Sequence, residues 1–145
     1  MIIDKETDKV YFSYQSTYDF KSELTEIKSI LKKYNVDWGF MAGTRDYFCR
    51  DYAPVQIDGK RFVQFRFYPD YLARPDREKY ITDIKKVYEK NGFLDNNSVT
   101  FSKIKLDGGN IVKWKDKAIV TNKIFTENKD IRETEIIDEL ERLLE

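Results

Sequence analysis

The strongest constraint on the fold of this chain is a nine-residue segment that occurs twice. Residues 55–63 (VQIDGKRFV) align with residues 112–120 (VKWKDKAIV) at an offset of 57 residues. Helix-start signals at Asp19, Asp76 and Asp130 follow similar spacings of 57 and 54 residues. A unit of loop, hairpin, helix and strand that recurs at such a period is typical of propellers and solenoids. Loose spacing within an ordinary α/β protein is the alternative interpretation.

Three helices follow from the spacing of apolar residues. Intervals of three and four predict helices over residues 19–34, 76–91 and 130–144. Thr17 or Asp19 is the expected N-cap of the first helix, whose apolar stripe is typical of a core-facing side. This stripe consists of Phe20, Leu24, Ile27, Leu31 and Tyr34.

The two later helices carry their own end signals. Pro75 precedes the second helix, and Gly92 after Asn91 predicts its C-terminal stop. Asp130 followed by Glu133 matches a capping box at the start of the third helix. The apolar stripe of the second helix consists of Tyr80, Ile84, Val87 and Tyr88.

Strands are predicted between the helices, and four of them form two hairpins. The first hairpin turns at Asp58 and Gly59, a pair that suits a tight primed turn, and the second turns at residues 115–117. The predicted strands span residues 10–12, 36–40, 54–57, 61–67, 99–106, 111–114 and 118–121. The chain is therefore expected to form one α/β domain over residues 1–145, with repeat units at about 10–75 and 76–145.

Charge and hydropathy restrict the partners of this domain. The 26 lysines and arginines balance the 26 aspartates and glutamates, so the net charge is zero. Proteins that bind the phosphates of nucleic acids usually contain more basic than acidic residues, so nucleic acid is not expected as a partner. No apolar stretch approaches the length of a membrane span, and residues 1–5 lack the apolar region of a signal peptide. We therefore expect a cytoplasmic protein with no membrane partner.

The sequence contains no histidine and a single cysteine, Cys49. One cysteine forms no internal disulfide, and without histidine the chain cannot build a Ser-His or Cys-His nucleophilic pair. A zinc site is disfavoured for the same reason, and no metal or cofactor is expected. The neighbouring Arg50 can favour a thiolate, but a cysteine between an aromatic and a charged residue is more often a small buried hydrophobe.

The run over residues 43–56 is too dense in charges and aromatics for an ordinary linker. Within it, Asp51 lies just before the strand that opens at Pro54, and Asp107 holds the comparable place before the second hairpin. Two carboxylates that face one space suit general acid–base catalysis, metal binding or bidentate binding of a guanidinium.

The residues around these carboxylates leave alternatives open. Gly108 and Gly109 let a backbone approach a ligand closely, but the sequence from Asp107 to Asn110 is also an ordinary turn. Arginines 45 and 50 can bind an anionic group, although pairing with acidic neighbours is more frequent.

Two motifs resemble one enzyme family. Residues 49–55 (CRDYAPV) resemble the Arg-Asp-Tyr-Gly-Pro type motif of the agmatine deiminase and bacterial peptidylarginine deiminase family. Residues 104–110 (IKLDGGN) resemble its second motif, an acidic residue followed by Gly-Gly and Asn. Residues 65–72 and 126–128 resemble the connecting segments of that family, and the resemblance extends from about residue 10 to residue 130.

This resemblance implies a pentein fold, a five-bladed α/β propeller, of which the chain would supply about two ββαβ units. Members hydrolyse a guanidinium carbon–nitrogen bond and release ammonia, using a cysteine nucleophile, a histidine that moves protons and two carboxylates. The histidine and late cysteine of the family have no counterpart here, and Cys49 does not inherit the nucleophile's role. The chain thus resembles the N-terminal part of a deiminase and is expected to be inactive alone.

The resemblance also assigns residue roles. Asp51 matches the first carboxylate, the catalytic one, and Asp107 matches the second, where the family more often has glutamate. Phe48 replaces a tryptophan and keeps an aromatic wall. Further substrate contacts are expected at Asp46, Arg50, Gly108, Gly109 and Asn110.

The expected ligand is a guanidino compound, either agmatine or a peptidyl arginine. The expected polypeptide partner is a complementary C-terminal half or a second copy of the chain. A non-catalytic pentein module for binding or assembly is the alternative, and an amidinotransferase of the same superfamily is a further one.

Overall fold

A computed structural model describes residues 6–95, 97–114 and 116–145. Residues 1–5, on which the signal-peptide prediction rests, lie outside this part, as do Asn96 and the hairpin residue Lys115. Within the described part, no helix is both long and apolar enough to cross a membrane.

The chain opens with a parallel strand–helix–strand unit. Strands β1 and β2 form a two-stranded parallel sheet in which Lys9 lies opposite Asp37 and Ser13 lies opposite Met41. The elements are β1 (Lys9–Ser13), α1 (Ser16–Asp19), α2 (Lys21–Lys33) and β2 (Asp37–Met41).

The central unit contains a three-stranded sheet in the order β3-β4-β5. Strand β4 pairs antiparallel with β3 and parallel with β5, and the β4–β5 register shifts between Gln64 and Arg66. The elements are α3 (Cys49–Tyr52), β3 (Val55–Gln56), β4 (Arg61–Arg66), a 3-10 turn (Glu78–Tyr80), α4 (Ile84–Asn91), a second 3-10 turn (Phe93–Asp95) and β5 (Ser98–Lys105).

The last unit is an antiparallel hairpin followed by two helices. In the hairpin, Ile111 lies opposite Val120 and Trp114 lies opposite Lys117. The elements are a 3-10 turn (Gly108–Asn110), β6 (Ile111–Trp114), β7 (Lys117–Val120), α5 (Lys123–Glu127) and α6 (Glu133–Leu144).

The mixed α/β class predicted from the sequence is therefore confirmed, and so are both hairpins. The order of strand, helix and parallel strand in β1-α2-β2 recurs in β4-α4-β5, and the hairpin β3-β4 recurs as β6-β7. The sheets are small, and none of those described is closed.

The main core lies between the central sheet, the second hairpin and helices α5 and α6. Its buried members come from all of these elements, so the central and last units share one apolar interior. These members are Val55, Ile57, Val63, Phe65, Ile104, Leu106, Ile111, Ile124, Ile136 and Leu143. A second cluster beside α3 contains Tyr52, Phe67 and Leu72.

The prediction of one helix over residues 19–34 is wrong at its start. Phe20, with φ −131° and ψ 46°, separates α1 from α2, and neither Thr17 nor Asp19 caps α2 because both lie within α1. The predicted stripe is only partly covered, since Leu24 is buried while Tyr34 is 67% exposed.

The predicted starts of the two later helices are also wrong. Helix α4 begins at Ile84, where the Asp83 side chain accepts a hydrogen bond from Lys86 N. The hydroxyl of Thr82 accepts a hydrogen bond from Arg45 N at 3.0 Å, and this long-range contact holds the segment before α4 outside the helix.

Helix α6 begins at Glu133, with Arg132 at the N-cap and no side-chain cap, so the capping box at Asp130 is not formed. Instead, Ile131 N donates to Asn128 O at 2.9 Å and turns the chain just before the helix. The stop of α4 is confirmed, because Gly92 adopts the left-handed conformation with φ 60°.

The first hairpin has a three-residue loop rather than the predicted two-residue primed turn. Ile57 N donates to Arg61 O at 2.8 Å, and Gly59 lacks the positive φ that a primed turn requires. The Asp58 carboxylate stabilises the loop by accepting hydrogen bonds from Lys60 N and Arg61 N, each at 2.9 Å.

Replacing Asn128 with alanine tests the polar bridge between α5 and β5. Asn128, 2% exposed, accepts from Lys105 N at 2.8 Å and donates to Lys105 O at 2.9 Å and Ile124 O at 2.8 Å. Because its loss leaves these groups unpaired, Asn128→Ala should lower the free energy of unfolding by about 2–4 kcal/mol in urea titrations.

The matched control is Asn122→Ala. Asn122 is exposed and makes no side-chain cap, so this change should stay within about 0.5 kcal/mol of the unsubstituted protein. Equal losses from the two substitutions would contradict the bridging role of Asn128.

Candidate functional site

Helix α3, which carries Asp51, is a single turn fixed at both ends. The Asp46 carboxylate accepts a hydrogen bond from Phe48 N at 3.0 Å and turns the chain into the helix. Pro54 disfavours helical geometry at Ala53, which is extended with ψ 150° and ends the turn.

Tyr52 fixes α3 to the central sheet. Its side chain is 0% exposed, and its hydroxyl donates to Asp46 O at 2.8 Å. The Gln64 side-chain amide on β4 donates to Tyr52 O at 3.3 Å. The position of Asp51 is therefore determined by a buried tyrosine one residue away.

The other half of the site is the turn over residues 107–110. At Gly108, a Cβ atom would lie 1.8 Å from the carbonyl oxygen of Arg50, and at Gly109 it would lie 2.8 Å from Asp51 Oδ1. Only glycine permits this approach of backbone to backbone at position 108. The close approach of a ligand to these glycines, expected from the sequence, stays a prediction. The approach in the structure is between two segments of the protein, and it brings Asp51 beside the turn that follows Asp107.

Arg50 and Asn110 strengthen the same contact. The Arg50 guanidinium donates from Nε to Gly108 O at 3.2 Å and from Nη2 to Ile111 O at 3.1 Å. Asn110 Oδ1 accepts from Thr121 Oγ1 at 2.8 Å. Both side chains thus hold protein segments together, and their substrate contacts stay predictions.

Asp51 lies partly exposed at the surface of the site. Its Oδ2 atom accepts a hydrogen bond from the Tyr71 hydroxyl at 3.1 Å. Burial, followed by the negative charge of Asp51, raises the pKa of Tyr71, so the phenol stays a donor. Tyr71 therefore orients the Asp51 carboxylate.

Asp107 lies deeper and is 4% exposed. Lys123 Nζ lies 3.6 Å from Asp107 Oδ2, but it is closer to Asp70 Oδ1 at 3.1 Å and to Glu127 Oε1 at 3.2 Å. Burial, followed by the charge of Glu127, raises the pKa of Asp107 to about 6; Asp51 adds to this effect and Lys123 opposes it.

The site holds more negative than positive side chains. Asp51, Asp70, Asp107 and Glu127 outnumber Lys123 and Arg50, and Lys123 contacts three of these four carboxylates. Because Asp107 is buried beside Glu127, its ionisation is costly.

Phe48 and Asp46 take different positions beside this centre. Phe48 is 59% exposed and packs edge-to-face on Tyr47, with ring centroids 5.4 Å apart. Asp46 is 7% exposed and acts in the turn before α3.

The structure supports the structural interpretation of Cys49. Burial raises the pKa of its thiol, and its Sγ atom lies 3.4 Å from the Tyr52 hydroxyl. A raised pKa disfavours the nucleophilic thiolate at neutral pH, despite the neighbouring Arg50. Among the residues in the described ranges, we identify no group of three or more His, Cys, Asp and Glu arranged to hold a metal ion.

The sequence did not indicate a site role for four residues that contact the two carboxylates or their partners. Tyr71, Asp70, Lys123 and Glu127 reach the site from the loop after β4 and from α5. Tyr71, Asp70 and Glu127 lie in the connecting segments that carry the family resemblance, which was the available signal. Lys123 had none.

Comparison with protein-family models gives no match to this sequence, and no curated protein matches it at a significant level. The deiminase resemblance therefore rests on the two motifs and the connecting segments, and the function is argued from the site geometry.

Gly108→Ala tests the contact between α3 and the 107–110 turn. Because the new methyl group would collide with the Arg50 carbonyl oxygen, we expect the free energy of unfolding to fall by about 3 kcal/mol or more. Gly59→Ala is the control, since a Cβ there meets no atom within 4 Å. A Gly108→Ala protein as stable as Gly59→Ala in urea titrations would rule out the close approach.

The raised pKa of Asp107 predicts a pH dependence of stability. In the folded protein this pKa is about 6, above the usual aspartate value of 3.8, so between these pH values the folded state binds more protons than the unfolded state. This group therefore lowers the free energy of unfolding, by about 1–3 kcal/mol, as pH rises from about 4 to about 7.

Asp107→Asn should remove that part of the slope in urea titrations across the same pH range. Asp76→Asn is the control, because the Asp76 side chain is 77% exposed. Parallel pH profiles for Asp107→Asn and the unsubstituted protein would show that Asp107 titrates normally.

Proposed function

We propose that this protein binds a guanidinium group between Asp51 and Asp107, as the guanidinium-binding part of an agmatine or peptidylarginine deiminase-type hydrolase. The observation that carries this proposal is the packing of α3 against the 107–110 turn, which places Asp51 beside Gly109 and near Asp107 in a site where carboxylates outnumber cations. A guanidinium supplies five donors in a planar fork.

The neighbours of the two carboxylates support this mode of binding. Tyr71 donates to Oδ2 of Asp51, and Oδ1 faces Gly109 in the turn that follows Asp107. Lys123 is nearer to Asp70 and Glu127 than to Asp107, so it can keep these two partners while Asp107 pairs with a guanidinium. The exposed ring of Phe48 offers a face on which a planar cation stacks.

The arrangement of elements supports the pentein-type part of the proposal. A βαβ unit, a ββαβ unit and a hairpin followed by helices succeed one another along the chain. This is the order expected of consecutive propeller units, with the boundary between the proposed repeats near residue 75.

Hydrolysis in the proposed family needs a cysteine nucleophile and a histidine. The sequence has no histidine, and burial raises the pKa of the Cys49 thiol. We therefore assign binding of the guanidinium to residues 1–145 and the covalent chemistry to a complementary C-terminal half, in the cytoplasm. The chain alone should release no ammonia from agmatine or from a peptidyl arginine, and clear turnover in an ammonia assay would contradict this.

A second candidate function is a non-catalytic module for binding and assembly. The observation that favours it is the exposure of large apolar residues on the last unit, where a monomer gains nothing from them. These residues are Val112 at 54%, Trp114 at 62%, Ile119 at 72% and Ile137 at 44% exposed.

Calorimetric titration with agmatine tests the proposed function. At pH 8, Asp51→Asn and Asp107→Asn should each weaken binding about tenfold or more, because each removes a charged acceptor. Asp76→Asn is the exposed control and should bind as the unsubstituted protein does. Butylguanidinium and butylammonium each carry one positive charge, but only butylguanidinium has the planar fork of donors, so butylammonium should bind more weakly than butylguanidinium.

The same titration has a predicted pH profile. A guanidinium requires ionised Asp107, so below its pKa of about 6 each pH unit should weaken binding by up to about tenfold. Binding that is insensitive to both substitutions and to pH would overturn the proposal.

A further inference from the structure

Strand β7 has an open edge beside a large groove. Within the described residues, β7 pairs only with β6. A groove of about 1040 Å³ runs between β7 and α6, and its apolar wall consists of Ile119, Val120, Ile137, Leu140 and Leu144. Open edges of this kind are templates for a further strand.

The chain itself shows how the equivalent edge is covered. The repeat aligns β7 with β4, so that Ile119 corresponds to Phe62 and Val120 to Val63. Strand β4 is covered by the parallel strand β5, and Phe62 is only partly exposed. Strand β1 is likewise paired with the parallel strand β2. At β7 no described strand takes that place, and Ile119 is 72% exposed.

Contacts of α4 show what the covering strand provides. Phe101 of β5 lies 6.3 Å from Tyr88 of α4, and Tyr88 stacks on Phe93 at 4.8 Å. Phe93 in turn packs on Phe62 of β4 at 4.9 Å. The parallel strand thus closes the space between its neighbouring strand and the helix, which is the space that stays open between β7 and α6.

The charge of α6 indicates the composition of the occupant. Residues 133–145 contain six acidic residues and one basic residue, Arg142. The acidic residues are Glu133, Glu135, Asp138, Glu139, Glu141 and Glu145. The described charged residues that line the groove itself are Asp116, Glu141, Glu145 and one cation, Lys117, so the lining is also acidic. A second copy brought to this groove by its own α6 would add like charges, whereas a basic segment would neutralise them.

We propose that the groove between β7 and α6 is the docking site for an extended, lysine- or arginine-containing segment of another polypeptide, which adds to β7 as a parallel strand. Main-chain hydrogen bonds to β7 give this contact its affinity, and alternate apolar side chains enter the groove. This inference rests on the second candidate function, assembly, and specifies the kind of segment that binds. It involves neither Asp51 nor Asp107.

A labelled peptide with the sequence of residues 98–105 serves as the probe, since β5 fills the equivalent position and carries Lys103 and Lys105. Fluorescence polarisation with the full chain should show saturable binding that weakens as salt is added. A peptide of the same composition in scrambled order should not bind. Amide chemical-shift changes should be confined to β7 and α6.

Ile119→Asp should weaken peptide binding about tenfold or more, because it places a charge on the apolar wall of the groove. Ile30→Asp is the matched control: Ile30 on α2 is also exposed, at 56%, and the change should leave peptide binding unaltered. Ile119→Asp should also leave agmatine binding unchanged, which separates this inference from the guanidinium site.

Four results would overturn the inference. Two of them are the absence of peptide binding and equal binding by Ile119→Asp. The third is chemical-shift change at β4, which would show that the peptide displaces β5 instead. The fourth is a dimer in sedimentation that Ile119→Asp dissolves, which would assign the groove to a second copy.

Discussion

The contact of Gly108 with the Arg50 carbonyl is the constraint on which the candidate site depends. A side chain at position 108 would have to overlap that oxygen. The Arg50 guanidinium strengthens the same contact by donating hydrogen bonds to Gly108 O and Ile111 O. This contact joins the loop before the first hairpin to the turn before the second. It is therefore what brings Asp51 and Asp107, 56 residues apart in sequence, into one electrostatic environment.

The two carboxylates differ in their exposure and in the residues that they contact. Asp51 is partly exposed and oriented by Tyr71, whereas Asp107 is buried beside Glu127 and Lys123. Ionising Asp107 against that burial is costly, and a guanidinium ligand would recover the cost through charge-assisted hydrogen bonds. Burial raises the pKa of the nearby Cys49 thiol, which disfavours Cys49 as a nucleophile.

Local signals in the sequence predicted those parts of the fold that local interactions decide. The hairpins and the stop at Gly92 are of this kind. The helix start at Asp76 was wrong because a distant contact decides it, the bond from Arg45 N to the Thr82 hydroxyl. The start at Asp130 was wrong because the chain turns through the bond from Ile131 N to Asn128 O, and the Asn128 side chain is held by Lys105 N of β5. Sequence motifs identified Asp51 and Asp107 as candidate site residues. Periodicity and spacing do not predict tertiary contacts, so they could not show that Tyr71 and Lys123 contact these carboxylates.

The most direct test of the coupling is a carbon-13 NMR titration of the Asp107 carboxyl group in the unsubstituted protein and in Asp51→Asn. If α3 and the 107–110 turn hold the two carboxylates together, the pKa of Asp107 lies near 6 and falls when the charge of Asp51 is removed. A pKa near the usual aspartate value of 3.8, equal in both proteins, would contradict a shared site.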